Sequence, residues 1–225
     1  MLDYKIHERH MISIVKNIFS DKIGNFLAFK GGTLAYFVHG LDRFSTDIDI
    51  DILDISQEEL IIKEIRKILA LYGEIKNETL GKNIHRWVFR YDEKSMNIKI
   101  ELNKKIWKNN IYLYENIDHV QILCMSKKCI FANKLVALSE RFYSRDLYDV
   151  YFFFSQNFPI YDALIYERTG ITTKTFLQQL IKNLPKHFRE NTVLAGLGEI
   201  LDNKQKLWVK SHLLNEIIKE IEKHL

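Results

Sequence analysis

The first fifty residues switch between the apolar spacing of helices and that of strands. Residues 4–18 carry apolar side chains at helical intervals, and residues 25–29 form a short apolar run. These patterns predict an amphipathic helix followed by a buried strand. Thr33 then predicts the cap of a short helix that ends at Gly40.

Residues 45–53 alternate strictly between polar and apolar side chains. Such alternation predicts a strand with Asp47, Asp49 and Asp51 on one face and isoleucines on the other. Like charges held this close destabilise one another, so we expect a cationic group beside this acidic face.

A helix and a hairpin are predicted next. Ser56 and Glu59 form a capping box for an amphipathic helix. Residues 84–91 and 96–102 predict the two strands of a hairpin that turns at residues 92–95.

From about residue 126 the apolar spacing is helical throughout, and helices are predicted over residues 126–142, 144–155, 173–184 and 203–224. A mixed part followed by helices predicts an α+β fold. We expect an α/β core over residues 1–120 and a helical domain over residues 121–225. Because no Gly or Pro linker separates them, the two are expected to pack tightly.

The composition indicates a globular protein. The 225 residues are 47% hydrophobic and include only 9 Gly and 2 Pro, which excludes a disordered tail or a collagen-like fibre. Cys124 and Cys129 lie in a helical-looking stretch without zinc-site spacing, which favours a reduced thiol pair. Neither a signal peptide nor a membrane span is indicated, so a cytoplasmic protein without membrane contact is expected.

Charge is distributed unevenly around a net value of +4. Residues 42–64 contain eight acidic and two basic side chains, whereas residues 76–108 contain nine basic and four acidic ones. Carboxylates that hold cations, surrounded by bases that hold phosphates, suit a metal–phosphate site. The alternative is a run of charges on a solvated face.

The strongest candidate site combines a Gly-Gly pair with Asp-x-Asp. Asp47 and Asp49 project their carboxylates to one side, roughly 6–7 Å apart, where they could share two divalent cations. Gly31 and Gly32 would let the backbone approach a phosphate, and Thr33 would offer a hydroxyl and a helix N-terminus.

The aspartates of residues 45–53 have three alternative interpretations. Asp47, Asp49, Asp51 and Glu58 fit positions 1, 3, 5 and 12 of an EF-hand loop, but Ile52 stands where that loop needs glycine. A glycosyltransferase Asp-x-Asp would normally follow a nucleotide-binding βαβ array, which this sequence does not show. A structural strand with a solvated acidic face is the third.

Three ordered blocks of sequence carry a family resemblance. They are Gly-Gly-Thr-Leu at 31–34, Arg-Phe-Ser-Thr-Asp-Ile-Asp at 43–49, and residues 133–149, which contain Asn-Lys-Leu-Val-Ala-Leu and Arg-Asp-Leu-Tyr-Asp. Together they resemble the AbiEii/AbiGii toxin family, a branch of the DNA polymerase β-like nucleotidyltransferase superfamily, from about residue 26 to 154. The resemblance implies transfer of a nucleotidyl group from an NTP to an acceptor. It also implies a type IV toxin–antitoxin or abortive-infection setting, a possible cognate antitoxin, and tRNA 3′ ends as acceptors of some relatives.

The resemblance also implies roles for the carboxylates. Asp47 and Asp49 would hold two Mg²⁺ ions, with Mn²⁺ as a substitute. Glu101 would be a third metal-binding carboxylate on a neighbouring strand and would activate the acceptor hydroxyl. The alternative for Glu101 is an ordinary charge on an edge strand.

Residues further along the chain are similar to the family's remaining motif. Lys134 resembles a triphosphate-binding lysine, although it could also be a snorkelling side chain. Arg141 lies two helical turns further on and could address the same polyphosphate. Asp146 or Asp149 would be functional, or Asp146 would interact with a helix dipole.

The remaining candidates concern phosphate and acceptor. Arg43 and Ser45 could donate to phosphate oxygens, or Arg43 could only neutralise the aspartates. Basic and aromatic residues at 104–108 and at Arg86 and Trp87 predict a surface for RNA, with protein hydroxyls and small molecules as other acceptors. The competing class of function is a non-catalytic module that binds a nucleotide or a partner protein.

Overall fold

The computed structural model describes residues 4–92, 97–197 and 201–225. It divides into two compact units, described separately below. The first comprises Met1–Ile106 and Tyr112–Met125, and the second comprises Trp107–Ile111 and Ser126–Leu225.

The first unit contains a seven-stranded mixed sheet with flanking helices. Its strand order is β3-β4-β5-β2-β1-β7-β6, in which β2 runs parallel to β5 and β1 runs parallel to β7 while the other neighbours are antiparallel. The elements are α1 (Tyr4–Ser20), β1 (Leu27–Lys30), α2 (Gly31–His39), β2 (Asp47–Ile52), α3 (Glu58–Ala70), β3 (Glu74–Leu80), β4 (Ile84–Arg90), β5 (Ile98–Asn103), β6 (Tyr112–Ile117) and β7 (Val120–Met125).

Strand β2 forms as its alternation predicts. Ile48 and Ile50 are fully buried in the core, together with Ile100 of β5. The predicted hairpin is confirmed as β4 and β5, which pair antiparallel. Residues 93–95 of its predicted turn lie outside the described residues.

Two predicted helix caps are wrong. Helix α2 begins at Gly31, so Thr33 lies inside the helix, although Gly40 ends it in the left-handed conformation as predicted. Before α3, the side chain that accepts the backbone N–H of Ser56 is Asp54, at the start of a 3₁₀ turn. Asp and Ser are both good caps, and the extra turn moves the helix start to Glu58.

The prediction for Cys124 is also wrong, because this residue lies in β7 and not in a helix. Its thiol is buried, and burial together with the Glu115 charge raises its pKa to about 12. Cys129 is a second buried thiol without a disulfide. The Cys124 thiol is unreactive because its raised pKa leaves little thiolate.

The second unit is helical. It contains α4 (Lys127–Arg141), α5 (Ser144–Ser155), α6 (Asp162–Thr169), α7 (Thr173–His187), α8 (Asn203–Trp208) and α9 (Leu214–Glu222), with α8 and α9 joined by the π-helical turn Val209–Leu213. Glu167 accepts the backbone N–H groups of Lys108 and Asn109, which ties the segment Trp107–Ile111 to this unit. A mixed sheet followed by these helices confirms the predicted α+β class. Within the described ranges, no helix is long and apolar enough to cross a membrane.

Candidate active site

The three aspartates of β2 share one face of the sheet but differ in environment. Asp47 and Asp49 are half-buried, whereas Asp51 is fully buried. The Nζ of Lys30 lies 2.5 Å from Asp51 Oδ1, and the Tyr112 hydroxyl donates to Asp51 Oδ2 at 2.8 Å. Because both oxygens of Asp51 are engaged by buried or half-buried groups, this carboxylate stabilises the fold.

Asp49 lies against the turn between β1 and α2. A Cβ atom placed on Gly31 would come within 2.2 Å of Asp49 Oδ2, and Gly31 has a φ of +80°. Only glycine combines that backbone conformation with this close approach. The first glycine of the Gly-Gly pair therefore creates the space that the Asp49 carboxylate occupies.

Asp47 begins the strand at its more exposed end. It stands opposite Lys99 of β5, whose Nζ is 4.0 Å from Asp47 Oδ1, and the Thr46 hydroxyl lies 3.5 Å from the same oxygen. Lys99 is about half exposed, so this pairing is weak. The Asp47 carboxylate thus lies beside Asp49 on the same face of the sheet.

Glu101 lies on β5 directly opposite Asp49 of β2. The prediction that its strand neighbours the Asp-x-Asp strand is therefore confirmed. On its other side, Arg86 of β4 stands in register and donates through Nε to Glu101 Oε1 at 2.7 Å. Glu101 thus has a carboxylate on one side and a guanidinium on the other.

Three candidate phosphate donors are buried around the start of β2. The Thr33 hydroxyl donates to the Asp47 carbonyl and lies 2.9 Å from Ser45 Oγ. Arg43 donates to the Phe44 carbonyl at 3.0 Å, and Arg43, Ser45 and Thr33 are all less than a tenth exposed. Their observed contacts position the loop that leads into β2. Gly32 is buried in the first turn of α2.

The counter-charges for the acidic face come from Lys30, Lys99 and Arg86. The sequence predicts a cationic group beside this face but does not point to Lys30 or Lys99. Strand alternation could have indicated Lys99, since it lies two positions from Glu101 and so shares its face.

The second unit holds the other candidates in one ion cluster of Lys134, Arg141, Asp146 and Asp149, referred to as the Lys134 cluster. Lys134 Nζ lies 2.9 Å from Asp146 Oδ1 and 3.0 Å from Asp149 Oδ2. Arg141 donates to both oxygens of Asp146, at 2.6 and 3.0 Å. Both carboxylates are buried. Burial raises the pKa of Asp146, but the Lys134 and Arg141 charges outweigh it and lower the pKa below its ordinary value.

The predicted RNA surface is only partly available. Trp87 is fully buried and its indole N–H donates to Glu78, so it cannot stack on a base. Lys104 donates to Glu58 at 3.0 Å. Strand alternation in β4 explains the burial of Trp87, because it points Trp87 into the core while the neighbouring Arg86 stays half exposed.

The donor set of the acidic face fits Mg²⁺. Across the described ranges, no three His, Cys, Asp or Glu side chains are arranged to hold a metal ion. Mg²⁺ in nucleotide enzymes usually takes one or two carboxylates, with substrate phosphates and waters as its other ligands. Asp47 and Asp49 supply two half-buried carboxylates on one face, which is the number this chemistry requires.

Substitution of Gly31 tests the contact with Asp49. Gly31→Ala should displace the Asp49 carboxylate and weaken binding of Mn²⁺ to the protein, measured by electron paramagnetic resonance of the free ion. Gly40→Ala is the matched control, since Gly40 has a φ of +71° but open space around its Cβ position. Backbone strain should cost both variants about 1–2 kcal/mol of unfolding free energy, and Gly31→Ala should lose more because its Cβ also meets Asp49. Equal Mn²⁺ affinity of the two variants would contradict the contact.

Comparison with known structures indicates the class of the fold. JHP933 from Helicobacter pylori is similar over 100% of this chain and 96% of its own, with a TM-score of 0.57 and 21% identity. A proposed nucleotidyltransferase from H. pylori covers 97% of this chain and 96% of its own at a TM-score of 0.57 and 19% identity. A nucleotidyltransferase-like antigenic protein from Paracoccidioides brasiliensis is similar over 83% of this chain and 92% of its own, with a TM-score of 0.51 and 15% identity. The chain thus shares its fold with nucleotidyltransferase-like proteins.

The family follows from the sequence itself. The model of the family described as nucleotidyl transferase AbiEii toxin, type IV TA system, matches residues 16–210. This protein therefore belongs to the AbiEii family of nucleotidyltransferase toxins of type IV toxin–antitoxin systems. None of the curated proteins matches the sequence.

Proposed function

We propose that this protein transfers a nucleotidyl group from an NTP to a hydroxyl of an acceptor, in a metal-dependent reaction. The observation that carries the proposal is the pair of half-buried carboxylates, Asp47 and Asp49, with Asp49 fitted against Gly31. The acceptor is an RNA, such as the 3′ end of a tRNA, or a protein hydroxyl. A cognate antitoxin is the expected partner, given the family.

The acidic face would act mainly by holding charge in place. Asp47 and Asp49 would hold one or two Mg²⁺ ions through their carboxylate oxygens. When bound, Mg²⁺ would neutralise the triphosphate and polarise its α-phosphorus. The chain contributes the fixed positions, because Gly31 and the Thr33 contact hold the turn and the start of β2. Preorganised charge of this kind is a major source of catalysis in phosphoryl chemistry.

Glu101 is the proposed proton acceptor. The acceptor oxygen would form a bond to the α-phosphorus, the bond from that phosphorus to the bridging oxygen would break, and pyrophosphate would leave. The acceptor's proton would pass to the Glu101 carboxylate. Lys134 and Arg141 remain proposed phosphate ligands. Asp146, which accepts hydrogen bonds from both, remains a proposed functional carboxylate.

The direct test is transfer of label. Purified protein is incubated with Mg²⁺ or Mn²⁺ and each α-labelled NTP, in the presence of total cellular RNA or of lysate protein. We expect label in one of the two macromolecule pools, with release of pyrophosphate, and no transfer in EDTA. The pool that takes the label identifies the acceptor class.

The alternative function is a non-catalytic module that binds a nucleotide or a partner. It is favoured by one observation: Lys30, Lys99 and Arg86 partly offset the charge of the four carboxylates on the acidic face, so a metal ion is not their only source of counter-charge. Metal-dependent NTP binding without label transfer to either pool would support this alternative and contradict the proposed transfer.

A further inference from the structure

Glu101 stands between two neighbours of opposite charge. In the strand order β4-β5-β2, its register partner is Arg86 on one side and Asp49 on the other. Neighbouring strands of a sheet lie about 4.7–4.9 Å apart, so side chains of register partners on one face lie close to each other. The Glu101 carboxylate can therefore reach toward either neighbour.

The structure shows which neighbour Glu101 selects. Its Oε1 accepts from Arg86 Nε at 2.7 Å, and among the described side chains no group of three carboxylates is arranged to hold a metal ion. Opposite charges across a strand pair attract and like charges repel, so the contact with Arg86 is the favoured one. The register brings Glu101 beside the Asp-x-Asp pair, but the ion pair keeps it from completing a three-carboxylate site.

A divalent cation would reverse this preference. Bound at Asp49, it would be the largest local charge and would attract Glu101 more strongly than the guanidinium does. The Arg86–Glu101 pair is largely open to solvent, with side chains 50% and 22% exposed, so it opens at low energetic cost.

We propose that Arg86 is a positioning residue that holds Glu101 on the β4 side of the acidic face, so that Glu101 joins a cation site with Asp49 only when the Arg86 contact opens. The proposal rests on the proposed metal-dependent function. Arg86 would thereby weaken cation binding by the protein alone, and it would restrain Glu101 until a cation is in place.

The test measures Mn²⁺ affinity without NTP or acceptor, by electron paramagnetic resonance of free Mn²⁺. Arg86→Gln should tighten Mn²⁺ binding about two- to fivefold, the scale set by a solvent-exposed ion pair. Arg66→Gln is the matched control. The Arg66–Glu78 pair has the same 2.7 Å separation and similar exposure, 47% and 27%, but lies between α3 and β3. We expect Arg66→Gln to leave Mn²⁺ affinity within experimental error.

A double-mutant cycle separates positioning from the simple loss of a positive charge. In the Glu101→Gln background, Arg86→Gln should give no gain in Mn²⁺ affinity, because the carboxylate that it releases is absent. The same gain in both backgrounds would overturn the proposal, since it would show a long-range charge effect. Unchanged or weaker Mn²⁺ binding by folded Arg86→Gln would also overturn it, as would no Mn²⁺ binding by either protein.

The proposal and the proposed function fail in different ways. An Arg86 effect on Mn²⁺ affinity without label transfer to RNA or protein would contradict the enzyme and support the positioning role. Label transfer with no Arg86 effect on Mn²⁺ affinity would support the enzyme and overturn the positioning role.

Discussion

Asp49→Asn is expected to abolish nucleotidyl transfer and leave the protein folded. Asp49 presents a half-buried carboxylate that stands directly opposite Glu101 and is closely fitted to Gly31. The amide keeps the shape but loses the charge that would hold a cation. We expect transfer to fall by about a hundred- to a thousandfold or more, the scale of losing one preorganised electrostatic contact. The measurement is label transfer per folded molecule at saturating Mg²⁺ and NTP.

The stability of Asp49→Asn should equal or exceed that of the native protein. Asp47 and Asp51 lie on the same face, so removing one carboxylate relieves repulsion between like charges. Urea unfolding monitored by circular dichroism would measure this change. Together, unchanged stability and lost transfer would locate the effect in the chemistry.

Asp51→Asn is the control, because it makes the same chemical change two residues along the same strand. Asp51 is fully buried and is held by Lys30 and the Tyr112 hydroxyl. Its substitution should cost about 1–3 kcal/mol of unfolding free energy, since two half-buried partners lose a charged acceptor. Transfer by the folded fraction should persist. Native transfer rates in Asp49→Asn, or equal losses in both variants, would contradict the assigned roles.

The sequence was most informative where two signals coincided. Strict alternation predicted β2 and placed the aspartates on one face, and the same reasoning placed Glu101 on a strand suited to be its neighbour. Both held because isoleucines at every second position leave one strand register that buries them. The register that sets Asp49 opposite Glu101, however, comes from parallel pairing of two strands that lie far apart in the sequence, and no local pattern specifies it.

Strands β3, β6 and β7, which were not predicted from the sequence, lack such a pattern. Strand β3, with the sequence Glu-Ile-Lys-Asn-Glu-Thr-Leu, is an edge strand with mostly exposed side chains, so no apolar alternation marks it. Strands β6 and β7 are joined by Asp118 and His119, which both have positive φ. The usual signal for such a turn is Asn-Gly or Asp-Gly, and it is absent here. Neither strand was therefore predicted, and Cys124 of β7 was placed in a helical-looking stretch.

The ion pairs were the least predictable part of the site. Lys134 was expected to contact phosphate or to extend into solvent, but it lies between two buried carboxylates. Sequence spacing placed Arg141 near Lys134 correctly, because both are on α4. Their shared partner, Asp146, lies on the next helix, and only the packing of the two helices brings it between them.

Lys134→Met is expected to destabilise the protein by about 3–5 kcal/mol, because it leaves buried Asp149 and Asp146 without their ammonium partner. Arg141→Met is the matched control on the same carboxylate. Arg141 is about half exposed and Asp146 keeps Lys134, so the expected cost is about 1 kcal/mol or less. Urea unfolding of both variants at neutral pH measures the difference. Equal losses of unfolding free energy in the two variants would show that Lys134 does not stabilise the Lys134 cluster more than Arg141 does.

The difference between native protein and Lys134→Met should also depend on pH. The pKa of Asp146 is lowered in the folded state, so its contribution to stability is complete above its unfolded pKa, about 3.9, and is lost as the pH falls through the folded pKa. The stability gap should therefore be largest near neutral pH and narrow below about pH 4. Lys134→Arg keeps the charge and should restore most of the lost stability. If folded Lys134→Arg binds NTP more weakly than the native protein, then Lys134 also binds phosphate through its ammonium group, whereas native NTP affinity would show that the positive charge alone is sufficient.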